Sequence, residues 1–158
     1  MLTLPSRTQF GFSIIEVIIF IGILSVVLTA ALGFTIKMIM TVRVNEHRLR
    51  ASHYVEEVTE WLNGEREADW EEFESHATTG GTVYCINNTL AITNTLDDLV
   101  TGACTTNGLT PAIYQRELTL SKDSPTTATR VSATVQVTWI EEGVQYREQI
   151  QTGYSVWE

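Results

Sequence analysis

The sequence predicts an α+β chain: one very long amino-terminal helix, transmembrane in its first half, whose second half packs on a small antiparallel β-sheet. Three observations lead there. A run from Phe12 to Ile36 contains no Lys, Arg or Asp, and about 25 apolar residues are enough to cross a bilayer as a helix. Beyond Lys37, the residues Val44, Ala51, Val55, Val58 and Leu62 recur at spacings of 7, 4, 3 and 4, which is one stripe of an amphipathic helix. From Thr82 onward the apolar period drops to two, as in half-buried strands.

Met1–Gly11 is a polar leader with Pro5, no hydrophobic period and Arg7 as its one charged residue. The apolar run follows at Phe12 and holds a single acid, Glu16. A carboxylate inside such a run costs about 2.5–3.5 kcal/mol at mid-bilayer and marks a functional position. The next basic residue is Lys37, 21 positions on, or about 32 Å along a helix. Glu16 therefore either sits near the interface or is paired by another molecule. Gly22 and Gly33 would let membrane helices approach closely.

A secretory signal would end at a small-residue cleavage site, and Thr29-Ala30-Ala31 could serve. The acid and the helical pattern continuing past Ala31 count against it. The helix from Phe12 to Asn63 would be about 78 Å long, with Gly64 as its carboxy-terminal stop. The chain thus divides into a leader (1–11), a transmembrane half-helix (12–36), an amphipathic half-helix (37–63) and a globular β domain (64–158).

Glu65–Ser75 holds six acids and one Arg around Trp70 and Phe73. A short helical turn with both rings facing the domain fits that spacing. The D-x-[DN]-x-[DN]-G calcium pattern is absent, so the acids read as solvated surface and no metal site is assigned. Thr82–Asn87 is a strand candidate. Asn88–Gly108 is rich in turn residues, with one further short strand at Thr89–Thr93. Asn87-Asn88-Thr89 matches the glycosylation acceptor pattern at chance level.

Pro111–Ser121 alternates, with Tyr114, Arg116, Leu118 and Leu120 on one face. Lys122–Thr127 is a turn. Arg130–Ile140 places Val131, Ala133, Val135, Val137 and Trp139 on one face. Glu142-Gly143 makes a two-residue hairpin turn into Val144–Trp157, whose Val144, Tyr146, Ile150, Tyr154 and Val156 share a face. The turn pairs Trp139 with Tyr146 and Val135 with Ile150. It also sets Glu148 beside Val137, which a bulge or an edge position would explain. The apolar face of this sheet is the natural cover for the helical stripe.

Net charge is −9, but residues 51–158 carry 5 basic and 17 acidic side chains. Such a domain repels phosphates, so no direct nucleic-acid binding is indicated. Cys85 and Cys104 are not spaced as C-x-x-C, which leaves no redox motif or zinc knuckle. Outside the cytoplasm a disulfide is expected, worth roughly 3 kcal/mol for a loop of about 20 residues; two buried thiols are the alternative. No nucleophile elbow, P-loop, zincin or dinucleotide motif is present, and His47, His53 and His76 lack an evident catalytic partner. A non-enzyme without a cofactor is expected.

Gly11, Phe12 and Glu16, with the uninterrupted helix behind them, resemble the start of a type IV prepilin or type II secretion pseudopilin: Gly, then an aromatic residue, then Glu at the fifth mature position. The stretch Phe12-Ser13-Ile14-Ile15-Glu16 is similar to the usual mature start. The resemblance rests on about ten residues and the helix. It implies cleavage between Gly11 and Phe12 by a prepilin peptidase, N-methylation of Phe12, and a pilin-like fold. It also implies assembly into a pilus or pseudopilus filament in which Glu16 pairs with the Phe12 amine of a neighbouring subunit and sets axial register. Before assembly such a subunit sits in the cytoplasmic membrane with its carboxy-terminal domain outside. Afterwards it lies on the cell surface or in a periplasmic pseudopilus. Its partners are other subunits, the peptidase and the pilus assembly platform.

Gly33 stands where many major pilins have proline, and the cysteines do not bracket a carboxy-terminal loop. The strands around Tyr114 and Arg116 and around Val137-Thr138-Trp139, followed by a last strand reaching Trp157, are similar to minor pilins and minor pseudopilins. The rival reading is a signal-anchored exported binding domain that does not polymerise.

Overall fold

A computed structural model describes Gly11, residues 13–88, Leu90 and residues 94–156. Residues 1–10, Phe12, most of the expected strand at 89–93, and Trp157 with Glu158 lie outside the described residues. The element order is α1 (Ile14–Ala68), α2 (Trp70–Ser75), β1 (Thr82–Cys85), a 3-10 turn (Leu96–Asp98), β2 (Val100–Thr101), β3 (Tyr114–Lys122), β4 (Arg130–Glu141) and β5 (Val144–Ser155). The architecture is the expected one, a long amino-terminal helix and an antiparallel sheet. The chain forms two compact units, Met1–Arg43 and Val44–Glu158, with α1 running through both.

In the carboxy-terminal unit the strands form one sheet in the order β2-β1-β3-β4-β5. Every β4 residue from Arg130 to Glu141 pairs with β5 in a continuous antiparallel register. The two-residue turn has positive φ at both Glu142 (52°) and Gly143 (80°), the primed geometry that matches strand twist. Trp139 pairs with Tyr146, and Val135 with Ile150, as the turn requires. The Trp139 and Tyr146 rings stack at 5.5 Å. Glu148 does lie opposite Val137. No bulge interrupts the ladder; β5 is the outer strand and leaves Glu148 half-buried rather than enclosed.

The core is the stripe against the sheet. Ala51, Val55, Val58 and Leu62 are the buried residues of α1. They join Tyr114, Leu118 and Leu120 of β3 and Val131, Ala133, Val135, Val137 and Trp139 of β4 in one apolar cluster. Polar side chains tie the same layers together. The Tyr114 hydroxyl donates to the His47 carbonyl at 3.2 Å, and the Tyr154 hydroxyl to the Thr59 carbonyl at 3.4 Å. Burial pushes the Tyr114 phenol up to about 12, so these hydroxyls remain donors.

Arg116 is the one fully buried charged side chain among the described residues. Its Nε donates to the Ile86 carbonyl at 2.9 Å. Nη1 donates to the Tyr54 carbonyl at 3.1 Å and to Glu57 Oε2 at 2.7 Å, and Nη2 to the Asn88 carbonyl at 2.9 Å. The guanidinium also lies over the Tyr54 ring, 5.7 Å from its centroid. One side chain thus joins α1, β3 and the segment after β1. Burial pulls its pKa down, and the hydrogen bond and charge of Glu57 oppose that shift. Sequence alternation put Arg116 on the inward face correctly and assigned it no role.

Three expectations are corrected. α1 does not stop at Gly64 but runs to Ala68. A helical Gly costs only about 1 kcal/mol, and the extra turn gains contacts: Glu65 Oε2 accepts the Leu96 N–H at 3.3 Å, and the Arg66 guanidinium lies over the Tyr154 ring. The chain then re-enters helix at α2, whose N-cap Asp69 accepts the Glu71 and Glu72 N–H groups. β3 begins at Tyr114 rather than Pro111, because Pro111 has no N–H to give a ladder and Ile113 N–H closes a tight turn onto its carbonyl at 2.7 Å. The apolar face of β5 is only partly covered. Tyr154 is buried and Tyr146 half-buried, while Val144, Ile150 and Val156 remain exposed, as befits an outer strand.

Candidate functional site

The residues singled out by the sequence lie mostly in the amino-terminal unit. Gly11 is exposed and outside any helix, and Phe12 lies outside the described residues. The Ser13 carbonyl accepts the N–H groups of Glu16 and Val17, which opens α1. Glu16 falls in the first helical turn and is exposed. A carboxylate there is favoured by the partial positive charge of the helix amino terminus. None of the ion pairs among the described residues includes it.

From Ile14 to Arg43 every described side chain is exposed. Large apolar groups point outward around the whole helix: Ile14 is 80% exposed, Val26 70% and Phe34 68%. α1 is long and apolar enough to cross a membrane, and among the described residues none of its most apolar stretch is buried. Its hydroxyls are satisfied within the helix. Ser25 donates to the Gly22 carbonyl, Thr29 to Ser25, Thr35 to Ala31 and Thr41 to Lys37, at 2.8–3.0 Å. This is the arrangement an apolar medium demands, where an unsatisfied polar group is costly. A Cβ added at Gly22 or Gly33 would meet nothing within 4 Å among the described residues, so their packing does not require either glycine.

Cys85 and Cys104 form a disulfide, with Cα atoms 4.9 Å apart. It joins the end of β1 to the segment that follows β2. The Cys104 N–H also donates to Glu117 on β3 at 2.9 Å. Asn87, in the glycosylation-like triplet, is turned to structural use: its amide donates to the Thr106 carbonyl and its Oδ1 accepts the Arg116 N–H at 2.9 Å. Gly108 packs so closely there that a Cβ would come within 2.4 Å of the Asn87 carbonyl oxygen.

The histidines have partners that sequence could not assign. His47 Nδ1 lies 2.9 Å from Glu141 Oε2 across α1 and β4. His53 stacks on Tyr54. His76 lies 3.4 Å from Asp97. None of these contacts joins Gly11 or Glu16. No family model matches the chain, and no curated protein and no solved structure does either.

Proposed function

We propose that this chain is a prepilin-like structural subunit, minor rather than major, that is processed after Gly11, N-methylated at Phe12 and assembled into a type IV pilus or pseudopilus. The observation that carries the reading is the division of labour along α1. Residues 14–43 carry uncovered apolar side chains, satisfied hydroxyls and a lone acid in the first turn. Residues from Val44 onward supply the stripe that the sheet buries. A membrane would cover the first stretch before assembly, and neighbouring helices would cover it in a filament. Gly22 and Gly33 are open to such neighbours.

Hydrolysis of the Gly11–Phe12 bond leaves a carboxylate on Gly11 and a new amine on Phe12. That amine, still cationic when methylated, would partner Glu16, which enters no ion pair among the described residues. Pairing it with the Glu16 of an adjoining subunit avoids a stranded carboxylate in an apolar core and sets axial register. The peptidase and the assembly platform are the partners this route requires. The acidic sheet unit, with its disulfide, would face the exterior.

The test is the mature amino terminus, read by mass spectrometry of the membrane-extracted protein. A methylated Phe12 is expected. Intact Met1, or a start near Leu32 as after ordinary signal cleavage, overturns the proposal and favours an anchored or secreted domain that does not polymerise. In the same cells Glu16→Ala is expected to leave the protein in the membrane and to reduce its incorporation into sheared filaments severalfold. Unchanged incorporation would refute the amine–carboxylate pairing.

A further inference from the structure

The acidic segment after α1 holds a group of donors that the filament reading does not use. α2 and its C-cap place Glu72 and His76 four residues apart, hence on one side of a helical turn. Asp97, from the 3-10 turn, comes up beside them. One ligand atom from each of the three lies within 4.8 Å of the others. We infer that Glu72, His76 and Asp97 form a binding site for a borderline first-row divalent cation of the zinc type.

The spacing is the first argument. His76 Nε2 and Asp97 Oδ1 are 3.4 Å apart. That is long for a charge-assisted hydrogen bond, which closes to about 2.7–2.9 Å. For this one pair it matches the edge of a tetrahedron whose metal–ligand bonds are about 2.0–2.1 Å, which is about 3.3–3.4 Å; Glu72, exposed and within 4.8 Å, would move in to complete the set. The second argument is that the backbone segments that carry the three donors are fixed by hydrogen bonds within the fold. The Tyr84 hydroxyl donates to the His76 carbonyl at 2.7 Å, and the two rings meet edge to face. The Asp69 carboxylate caps the Glu72 N–H at 3.1 Å. The turn bearing Asp97 is closed by Asp98, which accepts the Thr95 N–H at 3.0 Å.

Two carboxylates meet one imidazole in this group, a set of donors that a divalent cation would neutralise. The donor set also selects. One imidazole and two carboxylates suit zinc, whereas calcium and magnesium take about six to eight oxygens. Three protein ligands leave a fourth position for water. The Asp97 side chain is 72% exposed, so the cation enters from solvent. Once bound, it would cross-link α2 to the 3-10 turn.

The experiment uses untagged full-length protein in detergent micelles, stripped with chelator, dialysed and titrated with zinc chloride by calorimetry. Saturation at a single zinc per chain is expected, with calcium binding far more weakly. Losing a group that merely supports a ligand costs about 10–100-fold in metal affinity, and losing the ligand itself in His76→Gln or Asp97→Asn is expected to cost at least that. Glu56→Gln, an exposed acid outside the group, should bind as the parent does. Zinc should raise the melting temperature of the parent and of Glu56→Gln but not of the two ligand variants. If His76→Gln fails to fold, the exposed Asp97→Asn decides. Absence of saturable binding, unchanged affinity in folded Asp97→Asn, or calcium binding tighter than zinc overturns the site. None of these outcomes touches the mature amino terminus, so the site and the filament reading fail separately.

Discussion

Between residues 14 and 43, α1 carries apolar side chains on all sides; from 44 to 68 it carries them in a stripe. The backbone is the same continuous helix in both. In the first stretch Ile14, Phe20, Val26 and Phe34 are all exposed. In the second, Ala51, Val55, Val58 and Leu62 are buried while Glu56 and Glu60 face out. A stripe can be covered by one sheet face. A helix apolar all round can be covered only by a medium or by several neighbours. The same residue type therefore contributes to folding in one stretch and stays exposed in the other.

Substitutions can break that contrast or sharpen it. The largest effect is expected from Arg116→Ala. It removes the donors from three carbonyls, each costing about 1–3 kcal/mol when left buried and unsatisfied, while the partly exposed Glu57 can be rehydrated. Urea unfolding followed by tryptophan fluorescence should show that loss, and a change under about 1 kcal/mol would mean that the network is dispensable. Leu62→Ala against Leu28→Ala tests the contrast directly. The buried site should lose about 2–5 kcal/mol, and the exposed one less than about 0.5 kcal/mol. Equal losses would contradict the assignment of residues 14–43 to an external cover.

Cys85→Ser with Cys104→Ser opens the bridge across a sequence separation of 19. The double variant should lose about 2–4 kcal/mol in the same assay. The smallest effect is at Glu65. Its pKa is raised above the ordinary 4.5. A group raised in this way adds stability below its unfolded pKa and loses that contribution as pH rises through its folded pKa. Glu65→Gln should therefore raise the unfolding midpoint at pH 7 and leave it unchanged near pH 3, where both side chains are neutral. The reverse pattern would show that the carboxylate's bond to the Leu96 N–H outweighs its burial.

Much of the fold was legible because it rests on period and on local turn chemistry. The α1 stripe is a 3.6-residue pattern, and the inward faces of β3 and β4 are two-residue patterns. Glu142-Gly143 set the β4–β5 register because a two-residue turn leaves no freedom once both φ angles are positive. The candidate processing residues were legible only as a motif. The structure adds the exposed setting of Gly11 and the first-turn position of Glu16 to it. Long-range groupings had no such signal. Nothing in the spacing of Glu57 and Arg116, 59 residues apart, announces an ion pair. The approach of Asp97 to His76 across β1 was equally silent.

By itself, then, the sequence determined which segments could be helix or strand, which faces were apolar, and that one acid would stand alone in an apolar run. Those are properties of neighbours along the chain. Tertiary structure decided where α1 ends, because contacts at Glu65 and Arg66 outweigh the helix weakness of Gly64. It set the strand order β2-β1-β3-β4-β5 and made β5 an outer strand, which is why Ile150 and Val144 stay exposed despite sharing a face with buried Tyr154. It also buried Arg116 among carbonyls and gathered Glu72, His76 and Asp97. Burial, pairing and donor geometry depend on what the rest of the chain brings near, and that is settled only when the sheet closes over the helix.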